Sequence, residues 1–213
     1  MHDIQPIIDR VREVLATHEL NRPGAYARWI WQNEDASREL GINEYGCADA
    51  ANILYMIGAF PQNPEERASW VGVLQDFQDS ATGLFNEATH HPYHTTAHCI
   101  AALELFDARP KYELTELHRY LDRDELYTFL DGLHWKNDPW IASHQGAGIY
   151  AALVLAGEAS REWQDWYFAW LYDEADPQTG FWRKGHVIPT CQGDSFSGVL
   201  DAPTVFPAPR SEE

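Results

Sequence analysis

Thr82-Gly83-Leu84-Phe85 is echoed twice further along the chain, by Asp131-Gly132-Leu133-His134-Trp135 and by Thr179-Gly180-Phe181-Trp182. Gly83 to Gly132 is 49 residues and Gly132 to Gly180 is 48. Each echo follows an aromatic-rich stretch of helical pattern and precedes a polar loop, and the loop opens a helix of small and apolar residues. Those helices align too: Ala51–Ala59, Ile100–Ala108 and Tyr150–Ala156, with 49 residues from Ala59 to Ala108 and 50 from Ala101 to Ala151. Two sets of markers give one period of about 49 residues. A period in this range belongs to arrays of helical hairpins, because one hairpin cannot bury its own apolar face and must stack on neighbours. The expected fold class is all-α.

Composition bounds the rest. With 213 residues, 45% of them hydrophobic, the chain can bury one substantial core. The repeat predicts a single domain over residues 1–200, followed by an irregular, proline-rich tail over 201–213. Lys and Arg total 15 against 33 Asp and Glu, a formal net charge of −18. That field opposes contact with phosphate backbones, so nucleic acid is not an expected partner. It also repels acidic polysaccharides unless local arginines offset it. Met1-His2-Asp3-Ile4-Gln5-Pro6 has neither a basic nor an apolar leader pattern, and no apolar run reaches the length of a membrane span. With three cysteines, Cys47, Cys99 and Cys191, in no framework pattern, the expectation is a soluble cytoplasmic protein without disulfides.

Helical spacing of Ile4, Ile7, Ile8, Val11, Val14 and Leu15 predicts an amphipathic helix over about 3–18. Further helices are expected over about 24–32, 47–59 and 65–77. Another runs to Asp107 from a cap at Thr95 or Thr96. Two short helices over 114–121 and 124–130 come next, then 146–156 after Ser143, and 161–172. Six aromatic residues pointing several ways in that last helix imply burial between neighbours. A fourth inner helix is expected to begin over 193–200.

The stretch Trp70–Pro110, WVGVLQDFQDSATGLFNEATHHPYHTTAHCIAALELFDARP, resembles the prenyltransferase and squalene-cyclase repeat: an outer helix, an acidic turn with glycine and an aromatic, and a Thr-led inner helix. That resemblance implies an α/α toroid, with inner helices around an aromatic-lined central cavity. A ring of six such hairpins needs roughly 300 residues, so a chain of 213 implies an incomplete ring, a fragment, or a protomer whose open edge a partner or second copy covers. Tyr93-His94-Thr95 resembles the segment whose histidine binds zinc in protein prenyltransferases, and Cys47 resembles that family's zinc cysteine. The family's zinc aspartate precedes its cysteine by two residues, where this chain has Tyr45; Asp49 is the nearby substitute. Cys47, Asp49 and His94 are thereby the implied metal ligands and zinc the implied metal.

Polar side chains gather at the starts of the inner helices. They are Glu44, Tyr45, Cys47 and Asp49 in the first; His90, His91, Tyr93, His94 and His98 in the second; Asp138, Trp140, Ser143 and His144 in the third. His94 and His144 are 50 residues apart and occupy corresponding positions. The candidate catalytic groups are His94, His144, Tyr93 and Glu44, with Tyr45, Trp135, Trp140 and Tyr150 as substrate contacts; Glu87 and Asp138 are further carboxylates at the same starts. A cysteine among small residues is more often a packed core group than a ligand, and a histidine in a loop more often bonds locally. Three functions are compatible with this pattern. One is an isoprenoid enzyme performing prenyl transfer or cyclisation. The second is a carbohydrate-active toroid (a lyase, epimerase or hydrolase) with tryptophans as sugar platforms. The third is a noncatalytic helical scaffold. The concentration of titratable groups at corresponding helix starts favours an enzyme with a small-molecule or glycan substrate.

Overall fold

The structure, a computed structural model, describes residues 3–135 and 137–178. Among them are seven α-helices and one 3-10 helix; the β component is two isolated bridges. No helix of the described residues is long and apolar enough to cross a membrane. The chain divides into two compact units, Met1–Glu113 and Leu114–Glu213. The third echo, Cys191, the expected helix over 193–200 and the tail over 201–213 lie outside the described residues.

The first unit holds α1 (Gln5–His18), α2 (Glu44–Met56), α3 (Pro64–Gln75) and α4 (Pro92–Glu104). α2, α3 and α4 pack on one another. Small residues permit that approach: Cys47, Ala48 and Ala51 of α2 and Cys99 and Ala102 of α4 are fully buried beside Trp70, Leu74, Phe85 and Leu103. α4 starts earlier than Thr95: Pro92 sits in its first turn, and His91 is the cap, its Nδ1 accepting from the Tyr93 N–H at 3.2 Å. Proline suits that position because its missing N–H is one the helix leaves unpaired anyway.

The stretch over 24–32 is not helical. Residues 25–27 run as a buried, extended segment bridged at Tyr26 to Glu19 and at Ala27 to Ile42. Its backbone groups are claimed by tertiary partners. Tyr26 C=O accepts from the Asn43 N–H at 3.0 Å, and Tyr26 N–H donates to Cys47 Sγ at 3.3 Å. Gly46 of α2 lets the segment in: a Cβ there would lie 2.8 Å from both Ala27 C and Arg28 N. Gly24, at φ +89°, passes so near Trp70 that a Cβ would stand 2.7 Å from its Cα.

The loop between α3 and α4 is organised by its own side chains. Asp79 Oδ1 accepts from the Ala81 and Thr82 N–H groups and from the Thr82 hydroxyl, setting up a turn that Gly83 completes at φ +77°. Buried Gln78 accepts from Lys111 N–H and Tyr112 N–H and donates to Gly83 C=O. Buried Thr96 accepts from the Phe85 N–H at 3.0 Å. Gly132, by contrast, is the last residue of α5, so the first two echoes do not share one local structure.

The second unit holds the 3-10 helix Thr115–Leu121, α5 (Arg123–Gly132), α6 (Pro139–Ala156) and α7 (Arg161–Glu174). α6 begins seven residues before the expected start, because Asp138 caps it and Pro139 opens it; Gly157, left-handed at φ 79°, closes it. α7 packs against both α5 and α6, as its many-sided aromatics imply. Its buried polar tips are satisfied: Trp163 Nε1 donates to Tyr120 C=O at 2.7 Å, and Tyr167 Oη to Gly146 C=O at 2.8 Å.

Candidate functional site

Where α2 meets α4 in the first unit, helical spacing sorts the polar residues by face. Tyr45 and Asp49 are one turn apart on α2; His94 and His98 are one turn apart on α4, with His90 a further four residues back in the loop. These two rows meet. The Tyr45 ring stacks on His90 at 4.2 Å and on His98 at 4.7 Å, and lies tilted 6.2 Å from His94. Tyr45 is only 6% exposed and its hydroxyl has no hydrogen-bond partner. Burial pushes the phenol well up, outweighing the opposing influence of the nearby Thr95 hydroxyl.

Both outer histidines carry a carboxylate. His90 Nδ1 lies 3.1 Å from Glu87 Oε2, and His98 Nε2 lies 2.8 Å from Asp49 Oδ1. A carboxylate only accepts, so each contacting nitrogen holds a proton in the neutral ring and the other nitrogen, Nε2 of His90 and Nδ1 of His98, is the basic one. Glu87 is buried and heavily bonded: Arg28 donates to Oε1 at 2.9 Å, and Thr89 gives its N–H and hydroxyl to Oε2 at 2.8 and 2.7 Å. Its own burial acts to raise the carboxyl. The Thr89 and His90 side chains, the Thr89 N–H and Arg28 together overcome this and hold it down to about 2.

Glu44 is the opposite case. It is 7% exposed, in the first turn of α2, and its carboxyl is pushed up by burial first and then by the negative charge of Glu87 and Glu39. The start of α2 and the loop before α4 therefore carry two carboxyl groups driven in opposite directions, a pattern that separates an acid from an ionised partner. Arg28 completes the site, its guanidinium 5.3 Å from the Tyr45 ring centroid. The sequence gives no signal for Arg28, which meets Glu87 across 59 residues of chain.

The implied zinc set does not assemble. Cys47, two residues after Tyr45, points to the other side of α2, where its thiol donates to Tyr26 C=O at 3.6 Å and accepts from Tyr26 N–H. Burial pushes that thiol up to about 11, which disfavours the thiolate a metal needs. Asp49 is engaged with His98, and among the described residues no group of three or more His, Cys, Asp and Glu side chains is placed to hold a metal ion.

Tyr93 is buried and meets the His91 ring edge-on at 4.7 Å. His91 itself is pushed down by burial, which keeps Nδ1 free to cap the helix. In the second unit Trp135, 8% exposed, donates Nε1–H to Leu130 C=O at 2.6 Å and packs on Trp170; it is a core residue rather than a cavity wall. Tyr150 packs with Trp163, Tyr167 and Phe168. Trp140 is exposed and lies 4.6 Å from the His144 ring.

No protein-family model, curated protein or solved structure matches the chain.

Proposed function

We propose that this chain is an α/α-toroid-type enzyme that performs acid–base chemistry on a glycan, with the chemistry at the α2–α4 junction. Glu44, whose carboxyl burial raises, donates a proton to the oxygen that leaves or turns over. His90, oriented through Nδ1 by Glu87, takes a proton at Nε2. Glu87 is a positioning group: a carboxyl held near 2 is too weak a base to do this itself. What carries the reading is the pairing of a raised carboxyl, Glu44, with the Glu87–His90 couple on adjoining segments. The toroid part is supported by the helix caps Asn43, His91 and Asp138, which stand 48 and then 47 residues apart.

Isoprenoid transfer is less well supported, because the residues implied for its metal do not come together. The test is turnover of a panel of neutral and acidic oligosaccharides by the full chain, with products followed by mass spectrometry, beside Glu44→Gln and His90→Asn. The expected result is a loss of at least about a hundredfold in each variant, with unchanged circular dichroism. Turnover that survives both substitutions, or no product from any glycan, overturns the proposal; the latter points to a noncatalytic scaffold.

A further inference from the structure

Arg28 is the inner end of a ladder that continues outward. Its guanidinium lies 5.4 Å from the Trp29 ring centroid; Arg38 lies 4.3 Å from Trp29 on its own account and 5.7 Å from Trp31. Cation and aromatic thus alternate from Tyr45 through Arg28, Trp29 and Arg38 to Trp31, whose indole is 61% exposed. Arg38 is held in place by its backbone. Gln32 Oε1 accepts from Arg38 N–H at 2.9 Å and Gln32 Nε2 donates to Arg38 C=O at 2.7 Å, closing the loop into a clamp. Its guanidinium reaches only the Trp31 C=O, at 3.5 Å, and among the described residues it makes no ion pair. Asp35, the acid close enough to feel Arg38, is turned onto the Ser37 N–H and hydroxyl.

An ion-pair-free guanidinium stacked on indoles, with an exposed indole beside it, matches a ring carrying a carboxylate: the indole stacks the sugar face and the planar fork binds the anion. We propose, resting on the glycan reading above, that Trp29, Arg38 and Trp31 form a subsite for a uronate residue, which places the substrate among acidic rather than neutral glycans. Arg28 and Arg38 supply two cations along this ladder. The neighbouring unit of the same glycan would then lie toward Arg28 and Tyr45.

The test is isothermal titration of the full chain with trisaccharides of galacturonate, glucuronate and mannuronate, with their methyl esters, with maltotriose, and with hexaglutamate. At least one uronate trisaccharide is expected to bind at least about tenfold more tightly than its methyl ester. Arg38→Met is expected to erase that difference and Trp31→Ala to weaken acid and ester alike. Arg10→Met, on exposed α1, changes net charge equally and is expected to leave binding intact. Equal binding of acid and ester, preference surviving Arg38→Met, hexaglutamate binding as tightly as the uronates, or no binding of any uronate each overturns the subsite. The two proposals fail separately: turnover lost in Glu44→Gln with an unaltered preference in Arg38→Met sinks only the subsite. Uronate binding that depends on Arg38 without turnover sinks only the chemistry.

Discussion

Replacing Glu87 by Gln removes the ionised centre of the Arg28–Thr89–His90 network while keeping its shape. The carboxyl stands at about 2 in the fold against 4.5 for the ordinary group. At about 1.4 kcal/mol per unit, ionisation contributes roughly 3 kcal/mol of stability at pH 7. Because the folded value is the lower one, this contribution is full above the unfolded value and is lost as the pH falls through 4.5 toward 2. At pH 3 it has shrunk by about 2 kcal/mol. Glutamine cannot titrate, so the stability gap between the wild type and Glu87→Gln narrows by that amount between pH 7 and pH 3, while other carboxyl groups cancel in the comparison. Two neighbours do not cancel: His90 loses its carboxylate partner, and Glu44 is relieved of the Glu87 charge. Repeating the comparison in a Glu44→Gln background isolates that coupling. Urea unfolding of all four proteins over this pH range, with unchanged slopes, measures it. A gap that stays constant from pH 7 to pH 3 refutes the claim that Glu87 is held ionised by its partners.

Glu44→Gln alone is expected to be more stable than the wild type at pH 7, since a raised carboxyl contributes stability only while protonated and loses it as the pH rises. The gain should fade below pH 4.5, and urea melts across that range check the sign. His91→Asn keeps a capping acceptor that cannot titrate. The wild type should lose stability relative to it as the pH falls below 6.5, because the depressed imidazole must stay neutral to cap α4. Thermal melts at pH 7 and pH 5 test this. Gly46→Ala drives a Cβ against backbone at Ala27 and Arg28, where no side chain can swing away. A loss of about 1–3 kcal/mol in urea unfolding is expected, together with weaker protection of the Arg28–Glu87 pair seen as a smaller pH dependence.

The helices whose apolar residues repeat at helical spacing were legible nearly to their ends: 5–18 against an expected 3–18, and 161–174 against 161–172. Two helices start earlier than their hydroxyl residues suggest. Thr95 and Ser143 look like caps, yet Pro92 and Pro139 open their helices behind His91 and Asp138. That signal was present, since proline in the first turn marks a start. The segment over 25–27 carries no such signal. Its aromatic and alanine content suits a helix, and what makes it extended is the demand of Asn43 N–H and Cys47 Sγ on the Tyr26 backbone, together with the room left by Gly46. Partners that distant in sequence override local propensity without leaving a local mark.

The site was half legible for a related reason. The four-residue spacing of His90, His94 and His98 predicts a common face, and they do face one element together. Cys47 and Asp49 sit at the right end of α2 to join them, and only Asp49 does. Two residues along a helix turn a side chain by about 200°, so once Tyr45 points at the histidines Asp49 follows it and Cys47 faces Tyr26 instead. Residue types gathered in one short segment nominate a chemistry; the helical register decides whether they meet. Here it sets a phenol and two carboxylate-held imidazoles at the junction and leaves the thiol behind, which is the arrangement the proposed proton transfer draws on.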